Sequence, residues 1–137
     1  MWLEQITGKR ITIASHGTDL SHGGIFLPPA DQHMGIGPDG NIALSNDPPD
    51  RSLRPSVAHL FRSALRVYGN RVLAILLTGM GTDGAKELKS LKEAGSITIA
   101  QDATTSLVHG MPGEAIRLGG TTHVLSPEQI IQFIKNL

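Results

Sequence analysis

Six apolar residues, Val72 to Leu77, run without a polar break into Thr78-Gly79-Met80-Gly81-Thr82-Asp83-Gly84, and a helical pattern follows at once. An unbroken apolar run suits a strand covered on both faces. Parallel strands need crossover connections, usually helical, so a strand running through a glycine turn into a helix predicts an α/β chain. Open α/β sheets bind ligands in the crevice at the carboxyl ends of their strands. Asp83 is therefore expected at such a crevice.

The rest of the second half repeats the pattern. A helix from about Gly84 to Glu93, with Ala85, Leu88 and Leu91 on its inner face, stops at Gly95, and Ser96 to Ala100 reads as the next strand. Gly110-Met111-Pro112-Gly113 opens a short helix that Gly119-Gly120 ends, and His123 to Leu125 is a last strand. Ser126-Pro127-Glu128-Gln129 matches a capping box ahead of an apolar face made by Ile130, Ile131, Phe133, Ile134 and Leu137. Before residue 46 the chain reads as short strands: Arg10 to Ala14, Gly24 to Leu27, then His33 to Gly37 and Asn41 to Ser45 around a Pro38-Asp39-Gly40 turn. The polar loop from Ser45 to Arg51 is expected near the site. Ser56 then caps a helix whose stripe is Val57, Leu60, Phe61, Ala64, Leu65 and Tyr68. The predicted fold is a single α/β domain over residues 1–137: a mostly parallel sheet with helices on both faces and a short β-hairpin in the N-terminal half.

Charge and composition narrow the function. Lys plus Arg and Asp plus Glu both number 12, with no basic run, which argues against nucleic acid as a partner. Zero formal charge also removes one deterrent to self-association. The chain has no cysteine, so disulfides and thiolate metal sites are excluded. The six histidines show no paired spacing on a helix face, so neither a metal nor another cofactor is expected. No stretch approaches the roughly 20 apolar residues of a membrane span, and the first residues lack an apolar leader core, so a cytoplasmic protein without membrane insertion is expected.

Four segments in order carry a resemblance: Pro29-Ala30-Asp31-Gln32-His33-Met34, Arg54-Pro55-Ser56-Val57 leading to Leu60-Phe61, Leu77 to Ala85 around Gly79-Met80-Gly81-Thr82-Asp83-Gly84, and Gly110-Met111-Pro112 with Glu114-Ala115-Ile116. From about Arg10 to its end the chain resembles the effector domain of CheB-type chemotaxis protein-glutamate methylesterases. The resemblance implies a doubly wound α/β hydrolase that cleaves glutamate methyl esters on methyl-accepting chemotaxis receptors, releasing methanol, and in many members deamidates receptor glutamines. It makes Asp83 the acid of a Ser-His-Asp arrangement and Met80 part of the oxyanion site through its backbone N–H. Thr78, Gly79 and Gly81 become site-loop residues, His33 lies at the rim, and Arg54 is a candidate to hold an acidic receptor segment.

The family's serine turn, of Gly-Ala-Ser-Thr-Gly-Gly type, and its Gln-His-Met-Pro segment are not found in these residues. The sheet is thus expected to be incomplete relative to the family's, with strand edges open to a second copy or a completing chain. No receiver domain is expected within these residues, and this polypeptide alone is expected to be inactive. The adjacent pairs Ser15-His16 and Ser21-His22 do not stand in for the missing groups, because neither serine lies at a strand-to-helix elbow. Plainer readings also exist. Asp83 before a helix reads as its N-cap, Gly79-x-Gly81-x-x-Gly84 spells a dinucleotide fingerprint, and the scaffold could serve as a non-catalytic binding module for a receptor or partner.

Overall fold

The computed structural model describes residues 1–137. In chain order its elements are α1 (Trp2–Thr7), β1 (Ile11–Ile13), β2 (Ile25–Leu27), β3 (His33–Ile36), β4 (Ile42–Ser45), α2 (Val57–Tyr68), β5 (Leu73–Leu76), α3 (Ala85–Glu93), β6 (Ile97–Gln101), α4 (Met111–Arg117), β7 (His123–Leu125) and α5 (Pro127–Lys135). The α/β reading and most element positions match the expectation from sequence. The Pro38-Asp39-Gly40 turn does join an antiparallel pair, β3 to β4, in the register His33 to Ser45 through Ile36 to Ile42. Helix α5 has both halves of its capping box. The short α1 was not foreseen.

The expected sheet is divided into three. Strands β5, β6 and β7 form a parallel sheet in that order, β1 pairs with β2 in parallel, and β3–β4 stands apart. β5 and β1 are not hydrogen-bonded to each other, so each of the two parallel pieces keeps open edges. No helix is long and apolar enough to cross a membrane.

The core sits where α2 and α3 close over β5 and α4 joins them. It consists of Phe61, Ala74, Leu76, Ala85, Leu88, Leu91 and Ala115, with Val57, Leu60 and Leu65 packed against it. Burying a leucine side chain contributes about 1.5–3 kcal/mol, so Leu76, Leu88 and Leu91, all essentially inaccessible, anchor the elements on either side of the glycine turn. Ser63, absent from the predicted stripe, is buried instead. Its hydroxyl donates to Leu60 O and accepts the Ile36 N–H at 2.9 Å, tying β3 to α2.

Candidate active site

The segment from Thr78 to Gly84 leaves the end of β5 and is held on one side by residues 101–111. Thr78 N–H donates to Gln101 Oε1 at 2.8 Å, and the Thr78 hydroxyl both donates to Val108 O and accepts the Val108 N–H. Gly79 N–H donates to Val108 O, while Gly79 O accepts from Gly110 and Met111. This bracing continues the β5 strand direction past its last regular pair and gives the turn a rigid footing.

On the other side the turn meets α2. Asp83 accepts the Val57 N–H on Oδ2 at 2.7 Å and the Ala58 N–H on Oδ1 at 3.0 Å. The reading of Asp83 as cap of the following helix is thus corrected: Gly84 is the N-cap of α3, with no side-chain bond, and the Asp83 carboxylate instead satisfies the N-terminus of α2. The tertiary approach of α2 supplies two N–H donors at once, which the local α3 cap cannot match. Gly84 permits this approach: it has φ +83°, and a Cβ there would lie 2.6 Å from Val57 Cγ1.

Asp83 opens onto a cleft of about 360 Å³. Its walls include Gly81 and Thr82 of the turn, Ala58 and Arg62 of α2, and Asp50 and Arg51 of the preceding loop. The polar loop before α2 therefore does reach the site. Arg51 Nη1 donates to Thr82 Oγ1 at 2.7 Å. Asp50 accepts the Ser56 hydroxyl at 2.5 Å and Arg62 Nη2 at 2.9 Å on both oxygens. Burial raises the Asp50 carboxyl, but the bonds from Ser56 and Arg62 outweigh it and hold the group below its ordinary range. Asp50, Arg51 and Arg62 were not singled out from sequence. The signal for Asp50 and Arg51 was their place in the Ser45–Arg51 loop expected near the site, and Arg62 gave none beyond lying on the helix that Ser56 caps.

Two expectations are corrected here. His33 is fully buried rather than at a rim. Its Nδ1 accepts the Ser56 N–H and its Nε2 lies 3.1 Å from Pro48 O, so the ring is a strut between two loops. Arg54 does not line the cleft: its guanidinium is engaged by Asp31 and by the carbonyls of Asn46 and Asp47. An arginine surrounded by loop carbonyls and a carboxylate orders the loop, and Arg51 and Arg62 take its place at the cleft. The Met80 side chain is 83% exposed, and its N–H donates to no acceptor in the chain.

His33, Asp50 and His59 lie close together, yet they do not form a cation site. The two imidazoles stack at 4.4 Å with planes 4° apart. Nitrogen lone pairs in parallel planes cannot converge on one ion at the roughly 2.0–2.1 Å that zinc requires, and Arg62 already neutralises Asp50. Nor do the adjacent Ser–His pairs form a dyad, since Ser21 Oγ donates to Asp19 and His16 Nδ1 accepts the Leu44 N–H.

Burial pushes the His59 imidazole below its ordinary value, and His33 and Arg62 add to this against the opposing carboxylates Asp47 and Asp50. The unfolded chain takes up this proton more readily, so the contribution to stability is present above pH 6.5, the ordinary value, and is lost as pH falls below it. Denaturation midpoints should therefore fall from about pH 7.5 to about pH 5.5, and less steeply in His59→Phe. Parallel slopes for the two proteins would refute this.

Comparison with known proteins places the chain in a family. The family model described as CheB methylesterase matches residues 1–134. The chain belongs to the CheB methylesterase family. Curated CheB-family relatives include "Protein-glutamate methylesterase/protein-glutamine glutaminase 4" of Geobacter metallireducens, 46% identical over 99% of this chain and 40% of the relative. "Protein-glutamate methylesterase FrzG" of Myxococcus xanthus is 39% identical over 94% of this chain and 39% of its own length. The chain thus spans about two fifths of the length of these curated relatives. Among solved structures, the CheB methylesterase catalytic domain of Thermotoga maritima superposes with a TM-score of 0.79 at 31% identity, covering 88% of this chain and 68% of that one.

Proposed function

We infer that this chain supplies the acid and the oxyanion loop of a protein-glutamate methylesterase acting on methyl-accepting chemotaxis receptors in the cytoplasm, and on receptor glutamines as an amidase. One observation carries the reading: a carboxylate at the end of a parallel strand, oriented by two backbone N–H groups and open to a cleft. A carboxylate has about four lone-pair sites. The two that remain can accept a histidine Nδ1–H and stabilise the imidazolium formed when the base takes a serine proton.

In that reaction the serine oxygen attacks the ester carbonyl, methanol leaves with the proton from the histidine, and water then releases the glutamate carboxylate. The unpaired Met80 N–H donates to the carbonyl oxygen as it gains charge. Thr78, Gly79 and Gly81 hold the backbone of that loop, and Arg51 meets acidic groups of the receptor segment. The serine and the histidine come from outside these 137 residues, in the same polypeptide or in a completing chain.

The test joins this chain in frame to the part of the Thermotoga maritima catalytic domain that it does not cover and measures methanol release from methylated receptor. The joined protein turns over and the 137-residue chain alone does not. Methanol release by the chain alone that survives Asp83→Asn would overturn the reading. So would a folded, receptor-binding joined protein without turnover, which would mark a non-catalytic binding module.

A further inference from the structure

The contacts around Asp50 form a series that ends on the Asp83 carboxylate. Arg62 Nη2 lies 2.9 Å from both oxygens of Asp50, and Asp50 Oδ2 accepts the Ser56 hydroxyl at 2.5 Å. With its proton committed to Asp50, the Ser56 oxygen presents its lone pairs to the His59 N–H at 3.0 Å. The Ser56 N–H is fixed in turn on His33 Nδ1. The next two N–H groups, of Val57 and Ala58, are the ones that Asp83 accepts. Every free donor of the first turn of α2 therefore has one assigned acceptor.

We propose that Asp50, Ser56 and Arg62 are positioning residues for Asp83, acting through the first turn of α2. A serine alone is enough to cap a helix, and a capped helix needs no arginine-held carboxylate behind the cap. What the second carboxylate adds is direction: it removes the freedom of the Ser56 hydroxyl to rotate between staggered positions, and so fixes the two N–H vectors on which Asp83 rests. The lone pairs that Asp83 offers to the cleft then point one way. Gly84 completes the device by letting the turn approach within contact distance of Val57.

This rests on the reading of Asp83 as the acid of a hydrolase, so the test separates the two. In the isotope-labelled 137-residue chain, scalar couplings across the hydrogen bonds from the Val57 and Ala58 nitrogens to Asp83 Cγ are expected. They persist in Ser56→Thr and are lost in Asp50→Asn and Ser56→Ala, while exchange of these two amide protons speeds up by about tenfold, the value of one ordinary hydrogen bond. In the joined enzyme, Asp50→Asn lowers kcat on the order of 10- to 100-fold, the scale of a small misplacement, with KM unchanged. Ser56→Thr, which keeps the hydroxyl, retains the rate that Ser56→Ala loses. Should Ser56→Ala fail to fold, Asp50→Asn, which keeps the side-chain shape, and Arg62→Gln, which removes the guanidinium from Asp50, give the same readings.

Couplings and exchange unchanged in Asp50→Asn would overturn the proposal, as would a fall in kcat that Ser56→Thr fails to spare. Turnover that ignores Asp83→Asn would instead overturn the functional reading and leave the coupling measurement standing by itself.

Discussion

Asp83→Asn in the joined enzyme is expected to lower kcat by about four orders of magnitude, the effect of amide replacement of a triad acid that leaves the histidine in the wrong tautomer. Here the change has a second cost. The carboxylate accepts one N–H on each oxygen, and an amide has only one oxygen, so its NH2 group must face the N–H of Val57 or of Ala58. A partly buried donor without an acceptor costs about 1–3 kcal/mol. Loss of rate and a fall of several degrees in Tm should therefore appear together, and Asp83→Glu should recover neither, because its longer arm cannot reach both N–H groups from the same turn. Methanol release and thermal unfolding of the same preparations decide it. A rate within tenfold of the unaltered protein would remove Asp83 from the chemistry.

The largest stability effect is expected at Gly110→Ala. A Cβ at this position would lie 2.7 Å from Gly79 O, 2.9 Å from Gly81 N and 3.0 Å from Gly81 O. All three atoms are backbone of the site loop, so no side chain can swing away. The loop must separate from the start of α4, and the bonds from Gly110 N and Met111 N to Gly79 O, at 3.1 and 3.0 Å, are then strained or broken. Overpacking costs about 1–3 kcal/mol and each lost bond about 1 kcal/mol. A total near 3–4 kcal/mol corresponds to a drop on the order of 10 °C in Tm for a domain of this size. An unfolding midpoint unchanged to within about 2 °C, by a method whose error is smaller, would show that the loop yields freely.

Much of this chain is legible from residue pattern alone. Helices α2, α3 and α5 follow from 3.6-residue periodicity between capping and stop signals, and the β3–β4 hairpin follows from its proline-glycine turn, since these are local choices of φ, ψ and hydrogen bonding. The placement of Asp83 in the turn after an apolar strand is local too, but the strand is not covered on both faces as expected: Ala74 and Leu76 are buried, Leu73 and Ile75 half-buried and Leu77 exposed. The division of the sheet is not local, because strand pairing joins residues far apart and depends on which edges meet. His33 shows the same limit: a histidine beside turn residues gives no local sign that its ring will be sealed between Pro48 O and the Ser56 N–H.

The amino-acid order alone determines the α/β alternation, the glycine turn and the acid within it, because backbone preference and burial of apolar stripes act over a few residues. Tertiary structure alone decides that this acid is held by α2 rather than by its own helix, that Arg54 serves a loop while Arg51 and Arg62 reach the cleft, and that Asp50 stands behind Ser56. The bonds from Asp83 to α2 and from Arg51 to Thr82 join groups distant in the chain, and the shorter-range ones around Asp50 and Arg54 close a loop that no local periodicity specifies. Their directions exist only once the core of Leu76, Leu88 and Leu91 has brought α2 and α3 against β5.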